Sequence, residues 1–290
     1  MHSLNTGPIW PPLRRAKAIG APMISTDTNF AGSIPGLYDR CLGPLLFEPY
    51  ARIMTARAAE LAPSNILEIA AGTGIVTEAL LNALPETAII ATDLNPAMLE
   101  VAQGRIDSER VTFLPANALD LPFEDSRFDL VVCQFGLMFF PDRIRANAEV
   151  HRVLRRGGWY LALVWDSLER NPASQIAHTT VASLYDRDPP SFLARVPFAY
   201  SDQTSIKRDL VAAGFADVTV ETIALESDET NTEDAATGLV AGCPLRSEIE
   251  ERDPSGLDHA VRATAEALKA LQTTGGFQSR LSAHLAVAQK

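Results

Sequence analysis

Asn65-Ile-Leu-Glu-Ile-Ala-Ala-Gly-Thr-Gly74 is an apolar run that stops at two glycines and opens into a segment with helical spacing. Without a Cβ, Gly72 and Gly74 permit backbone angles and close approaches that other residues resist. A strand, such a turn and then a helix make the first unit of a doubly wound sheet, where a nucleotide-like ligand meets the turn and the helix N-terminus. The glycine pair alone also fits a plain tight turn, so its neighbours carry the reading.

Around this stretch, short apolar runs alternate with longer periodic segments, the pattern of a parallel sheet covered by helices on both faces. Strands are expected at 65–70, 88–93, 111–115, 128–134 and 158–165, and helices at about 74–84, 96–106 and 141–154. Right-handed crossovers bring the strand C-terminal ends to one edge. Residues 172–185 and 202–213 are periodic as helices, whereas 216–223 and 280–288 alternate as half-buried strands suited to antiparallel pairing. The fold class is therefore α/β: a doubly wound, mostly parallel, Rossmann-like sheet with helical cap insertions and an antiparallel C-terminal strand pair.

This divides the chain into a mobile N-terminal arm (1–33), an N-terminal helical cap (34–62) broken at Gly43-Pro44 and Pro49, and a ligand-binding core (63–166). A helical cap insertion (167–200), a core helix and strand (201–226), a second helical insertion (227–276) and a final core strand (277–290) follow. Met1 and Met23 both stand as natural starts.

The 290 residues carry a net charge of −11, which repels a polyphosphate partner unless cations gather on one face. Arg14, Arg15 and Lys17 form a small group, and Arg152, Arg155 and Arg156 suit a helix C-terminus. Nucleic acid is not the expected partner. Three scattered cysteines, Cys41, Cys133 and Cys243, indicate neither a disulfide framework nor a metal cluster and favour a reducing cytoplasm. No apolar run follows the twin arginine as an export signal requires, and none reaches bilayer length. The expected protein is cytoplasmic and not inserted in a membrane, with its oligomeric state, a homodimer included, left open.

Asp93 ends the second strand 19 residues after Gly74, the spacing of a carboxylate that grips ribose hydroxyls. Its competing role, capping the next helix, belongs better to Asn95, which precedes Pro96. Glu68 lies inside an apolar strand, where a carboxylate needs a partner. A cationic ligand supplies one, while the pyrophosphate of a dinucleotide would be repelled; an ion pair with an arginine is the alternative. Thr77 occupies the third position of the dinucleotide fingerprint, where Gly or Ala is expected.

Glu68-x-Ala70-x-Gly72-x-Gly74, then Asp93, then Asn117-Ala118 resemble the successive cofactor motifs of class I S-adenosylmethionine-dependent methyltransferases. The segment from Ala116 to Asp142, with Glu149-Val-His-Arg-Val-Leu-Arg-Arg-Gly-Gly158, is similar to the subfamily of quinone-biosynthesis methyltransferases. The resemblance spans about 35–166. It implies S-adenosyl-L-methionine as cofactor, with Gly72 and Gly74 passing the methionine moiety, Asp93 at the ribose, Met98, Asn117 and Ala118 at the adenine, and Leu94 among the cofactor-binding residues. Gln134 and Phe135 then face the methionine moiety and the transferring methyl, and Tyr38 resembles a lid tyrosine.

Methyl transfer from a sulfonium is an in-line displacement in which positioning provides much of the catalysis, so a dedicated base is optional. His178, on a predicted cap helix, is the one histidine nominated as a base; His151 is placed against the sheet, and His2, His259 and His284 have no supporting neighbours in sequence. The fourth strand ends in Gln134-Phe-Gly-Leu137, not the Asn/Asp-Pro-Pro-aromatic turn of amino-methylating nucleic-acid enzymes. The expected acceptor is a small, partly apolar molecule, with Phe139, Phe140, Phe192 and Phe198 as lining candidates. A nicotinamide oxidoreductase and a non-catalytic cofactor-binding module are the alternatives.

Overall fold

The computed structural model describes residues 26–28, 30, 32–274 and 276–290. Most of the arm expected at 1–33, with Arg14, Arg15, Lys17, Met1 and Met23, lies outside the described residues.

The N-terminal cap begins with α1 (Ile34–Leu37), continues through a π-helix (Tyr38–Phe47) and passes directly into α2 (Glu48–Leu61). The expected break at Gly43-Pro44 does not occur. Proline lacks an N–H and crowds the carbonyl four residues back, and the wider i→i+5 register accommodates it. Pro49 sits in the first turn of α2, where its missing donor is not required.

The core then alternates β1 (Asn65–Ile69), α3 (Ile75–Ala83), β2 (Ala88–Asp93), α4 (Pro96–Arg105), β3 (Val111–Pro115), β4 (Phe128–Gln134), α5 (Arg143–Val153) and β5 (Leu154–Trp165). Next come α6 (Pro172–Ser183), α7 (Phe192–Arg195), α8 (Gln203–Ala212) and β6 (Asp217–Glu226). Three further helices, α9 (Thr232–Ala241), α10 (Leu245–Arg252) and α11 (Leu257–Leu268), lead to the short hairpin β7 (Gln272–Thr273) and β8 (Gly276–Phe277) and to β9 (Arg280–Gln289).

The seven-stranded sheet has the order β3-β2-β1-β4-β5-β9-β6. Among β1 to β5 the pairings are parallel, while β9 runs antiparallel to both β5 and β6, as the alternation of the last two segments predicts. β5 starts at Leu154 instead of 158. Its early start pairs Leu154 with Phe128 of β4 ahead of a register shift, and Lys290, one residue beyond β9, accepts the Gly157 N–H at 2.7 Å and returns its own N–H to the Gly158 carbonyl at 3.0 Å.

The central strands are buried on both faces, which is why they read as unbroken apolar runs. The chain winds away in opposite directions from β1 and β4, so a crevice opens beyond their carboxyl ends. α6, α7 and α9 to α11 close over that same end through apolar contacts; Phe192, Leu193, Leu239 and Leu245 are buried.

Candidate active site

Two turns build the crevice. After β1, Ala70 and Gly72 take positive φ angles of 55° and 57°; after β4, Phe135 takes 56°. A left-handed conformation costs a residue with a Cβ roughly 1–2 kcal/mol, so Ala70 and Phe135 must be held in place. Neighbouring strands hold them: Ala71 N–H donates to the Thr92 carbonyl at 2.9 Å and Phe135 N–H to the Leu163 carbonyl at 2.8 Å. The turns also touch one another, since a Cβ on Gly136 would lie 2.5 Å from that of Ala70.

Between them lies a cavity of about 370 Å³. Asp93 stands half-buried on its wall, accepting the Gly72 N–H at 2.9 Å and the Asn95 N–H at 2.8 Å. Burial raises the Asp93 pKa, and N–H groups of Asn95, Gly72 and Leu94 pull it back. Asn95 also caps α4, accepting from Ala97 N–H at 3.0 Å, as its position before Pro96 foretells. Leu94, Met98, Ala118 and Asn117 line the same cavity, the last with Oδ1 engaged by the Leu119 N–H. Gln134 is fixed by its Nε2, which donates to the Phe47 carbonyl at 3.0 Å, leaving its buried Oε1 without a partner among the described residues.

Ala70, Gly72, Asp93, Leu94, Met98, Asn117, Ala118, Gln134, Phe135 and Tyr38 thus come together on one cavity. Two residues of the motif depart from their expected places. Gly74, at φ 83°, is off the cavity wall; a Cβ there would lie 2.9 Å from the Ala102 Cβ, so glycine is required for α3 to pack on α4. Glu68 is 2 % exposed and also off the wall, and neither an arginine nor an open ligand surface meets it. Its partner is the Thr77 hydroxyl, which donates at 2.5 Å. Burial lifts the Glu68 pKa to about 8, against the pull of the Thr77 bond and with a further push from Asp93. Thr77 is therefore the mate of a buried carboxyl, a role its sequence position did not disclose.

A second, narrow chamber of about 50 Å³ adjoins this cavity. Phe30, Tyr38, Phe135 and Phe139 border both. Phe135 stacks on Trp165 with ring centres 3.7 Å apart, and Tyr38 stacks on Phe47 at 4.6 Å. Phe192 and Phe198 reach the chamber from the segment after β5, while Phe140 faces the first cavity. Ser174 of α6 completes the wall.

A segment before α1 ties the two spaces together. Asn95 donates to the Phe30 carbonyl at 2.9 Å, and Asp27 pairs with Arg195, which also reaches Glu248 at 2.8 Å.

His178 lies on α6 but lines neither space; burial lowers its pKa, against the opposing pull of Glu248. His284, which has no supporting neighbours in sequence, is 3 % exposed and contacts the Ser201 carbonyl at 2.9 Å, Thr222 at 3.0 Å and Asp166 at 3.3 Å. These groups border an open groove of about 660 Å³ that shares no residue with the glycine-turn cavity. Among the described residues no group of three or more His, Cys, Asp or Glu is placed to hold a metal, and no helix is long and apolar enough to cross a membrane.

Residues 67–162 match the methyltransferase domain family. A demethylmenaquinone methyltransferase of Clavibacter sepedonicus is 34 % identical over 189 residues, covering 58 % of this chain and 72 % of that protein. The chain belongs to the class I S-adenosylmethionine-dependent methyltransferases. A second relative of this methyltransferase, the demethylmenaquinone methyltransferase of Thermus thermophilus, is 39 % identical over 108 residues, which is 37 % of this chain; the match spans about half, 49 %, of that relative's length. The YcgJ protein of Bacillus subtilis superposes with a TM-score of 0.54 at 19 % identity, over 83 % of this chain and 98 % of that one, a likeness of fold. S-adenosylmethionine is the cofactor, and the nicotinamide alternative gives way to the family.

Proposed function

We propose that this methyltransferase acts on a small, largely apolar acceptor carrying an aromatic ring, and that the ring lies at the aromatic border where the narrow chamber opens onto the glycine-turn cavity. The observation that carries this reading is the shared border: Phe30, Tyr38, Phe135 and Phe139 face the glycine-turn cavity on one side and the chamber on the other. A ring lying among them finds offset and edge contacts of the kind aromatic pairs favour. The named activity of the Clavibacter and Thermus relatives, on demethylmenaquinone, supports an acceptor of this type.

The cavity residues fit the cofactor. The Asp93 carboxylate suits a ribose diol, its geometry set by the Gly72 and Asn95 N–H groups. Met98, Leu94 and Ala118 offer an apolar slot for the adenine, with Asn117 at its edge. The unpartnered Gln134 Oε1 is an acceptor suited to an ammonium. When bound, the cofactor supplies an activated methyl on a sulfonium. The chain's own residues hold and align: the two left-handed turns are tied by backbone hydrogen bonds to the neighbouring strands and so set the methyl donor against its acceptor. The aromatic border excludes water from the point of transfer. His178 has no part in this reading; the proton that a ring hydroxyl or ring carbon loses on methylation passes to solvent, with no side chain of the cavity assigned to take it.

The experiment is S-adenosylhomocysteine release in the presence of reduced demethylmenaquinone and simpler hydroxylated aromatics. Release with these, and none with nucleic acid, is expected. Turnover confined to nucleic acid or protein acceptors would overturn the reading.

A further inference from the structure

Ser174 is 1 % exposed, lies in the first turn of α6 and forms part of a chamber whose other walls are mostly aromatic and aliphatic. Its hydroxyl has no hydrogen-bond partner among the described residues. Buried hydroxyls almost always find one, by bonding back to their own helix if nothing better is near. Even the exposed Thr179 does so on the same helix, donating to the Gln175 carbonyl at 2.9 Å. Ser174 does not.

Other polar groups on the chamber are otherwise engaged or limited. The Cys243 thiol donates to the Leu239 carbonyl at 3.3 Å, and burial lifts its pKa to about 12, so it stays a thiol. Tyr38 belongs to the border with the glycine-turn cavity. The Trp165 indole is a donor only, whereas a serine hydroxyl both donates and accepts.

The geometry points to Ser174 as a specificity-determining residue: its hydroxyl bonds a hydroxyl or carbonyl oxygen on the acceptor ring and so selects oxygenated aromatics over hydrocarbons of the same shape. This rests on the proposed placement of the acceptor ring at the border between the glycine-turn cavity and the chamber. A hydrogen-bonding group in a mostly apolar pocket orients its ligand as well as selecting it, because the oxygen-bearing edge of the ring must face it. A site built this way discriminates against an analogue lacking the oxygen, since the hydroxyl is then left unpaired.

Phenol and toluene differ by hydroxyl against methyl at nearly constant shape, and both can be titrated into the S-adenosylhomocysteine-saturated protein by tryptophan fluorescence, with Trp165 on the chamber wall. Ser174→Ala is expected to weaken phenol about tenfold, the size of one good hydrogen bond, and to leave toluene unchanged. Ser174→Thr, which keeps the hydroxyl, is expected to retain phenol affinity. Equal phenol affinity in Ser174→Ala and the parent protein overturns the role of Ser174 while leaving the chamber as the aromatic site. Failure of both phenol and toluene to bind overturns this inference together with the acceptor assignment.

Discussion

The glycine-turn cavity takes its shape from backbone: left-handed turns at Ala70, Gly72 and Phe135, with N–H groups that aim the Asp93 carboxylate. The aromatic chamber takes its shape from side chains brought in by the N-terminal cap, β4, β5, α6, α7 and α9. One is a product of sheet topology, drawn mostly from a continuous stretch between Ile69 and Pro141. The other draws on residues from Phe30 to Cys243. A common cofactor and a variable acceptor call for that division, because a cap can be rebuilt without disturbing the turns that hold the methyl donor.

The largest expected effect comes from Glu68, a buried carboxyl beneath the glycine turn. Its folded pKa of about 8 lies above the ordinary 4.5, so stability is fully present below about 4.5 and is lost as pH rises through about 8. For the cofactor-free protein the loss approaches at most about 5 kcal/mol, and Glu68→Gln is expected to flatten the profile in denaturant titrations across that range. A cationic ligand nearby favours the ionised form, so S-adenosylmethionine binding at neutral pH should release protons, seen as a buffer-dependent calorimetric enthalpy that Glu68→Gln abolishes. A pH-independent stability would show that Glu68 does not titrate there.

Next in size, Asp93→Ala removes the carboxylate and strands the Gly72 and Asn95 N–H groups. Cofactor affinity should fall about 100-fold by calorimetry, with toluene binding in the chamber unaffected. Unchanged cofactor affinity would sink the ribose role. Gly74→Ala tests whether that glycine serves packing: urea unfolding should show a loss of roughly 1–3 kcal/mol, while cofactor affinity stays close to that of the parent protein. Smallest is Trp165→Phe, which trims the ring stacked on Phe135 yet keeps a stack. The acceptor KM should rise by about threefold to tenfold with cofactor affinity unchanged; a fall in cofactor affinity instead would show the two spaces to be coupled.

The strands and the turn were legible because their signals are local. An unbroken apolar run reports burial on both faces, and Pro96 after Asn95 reports a helix start. Glu68 was legible as a residue in need of a partner but not as to which, since Thr77 reaches it only after α3 folds back over β1. Gly74 read as a cofactor residue because a glycine required by a helix contact and one required by a ligand look alike in sequence. His284 had no visible company because antiparallel pairing of β9 with β5 and β6 sets it beside Asp166 and Thr222. Ser174 gave no signal, since an unpartnered hydroxyl is a property of its surroundings.

By itself, the amino-acid sequence determined the sheet, its crossovers and the order of the cofactor motifs, all of which depend on periodicity and on backbone freedom within a few residues. Only the tertiary structure decided which motif residues face the cavity, which buried groups satisfy one another and where an acceptor is received. Those depend on contacts between segments far apart in the chain, and no local pattern records them.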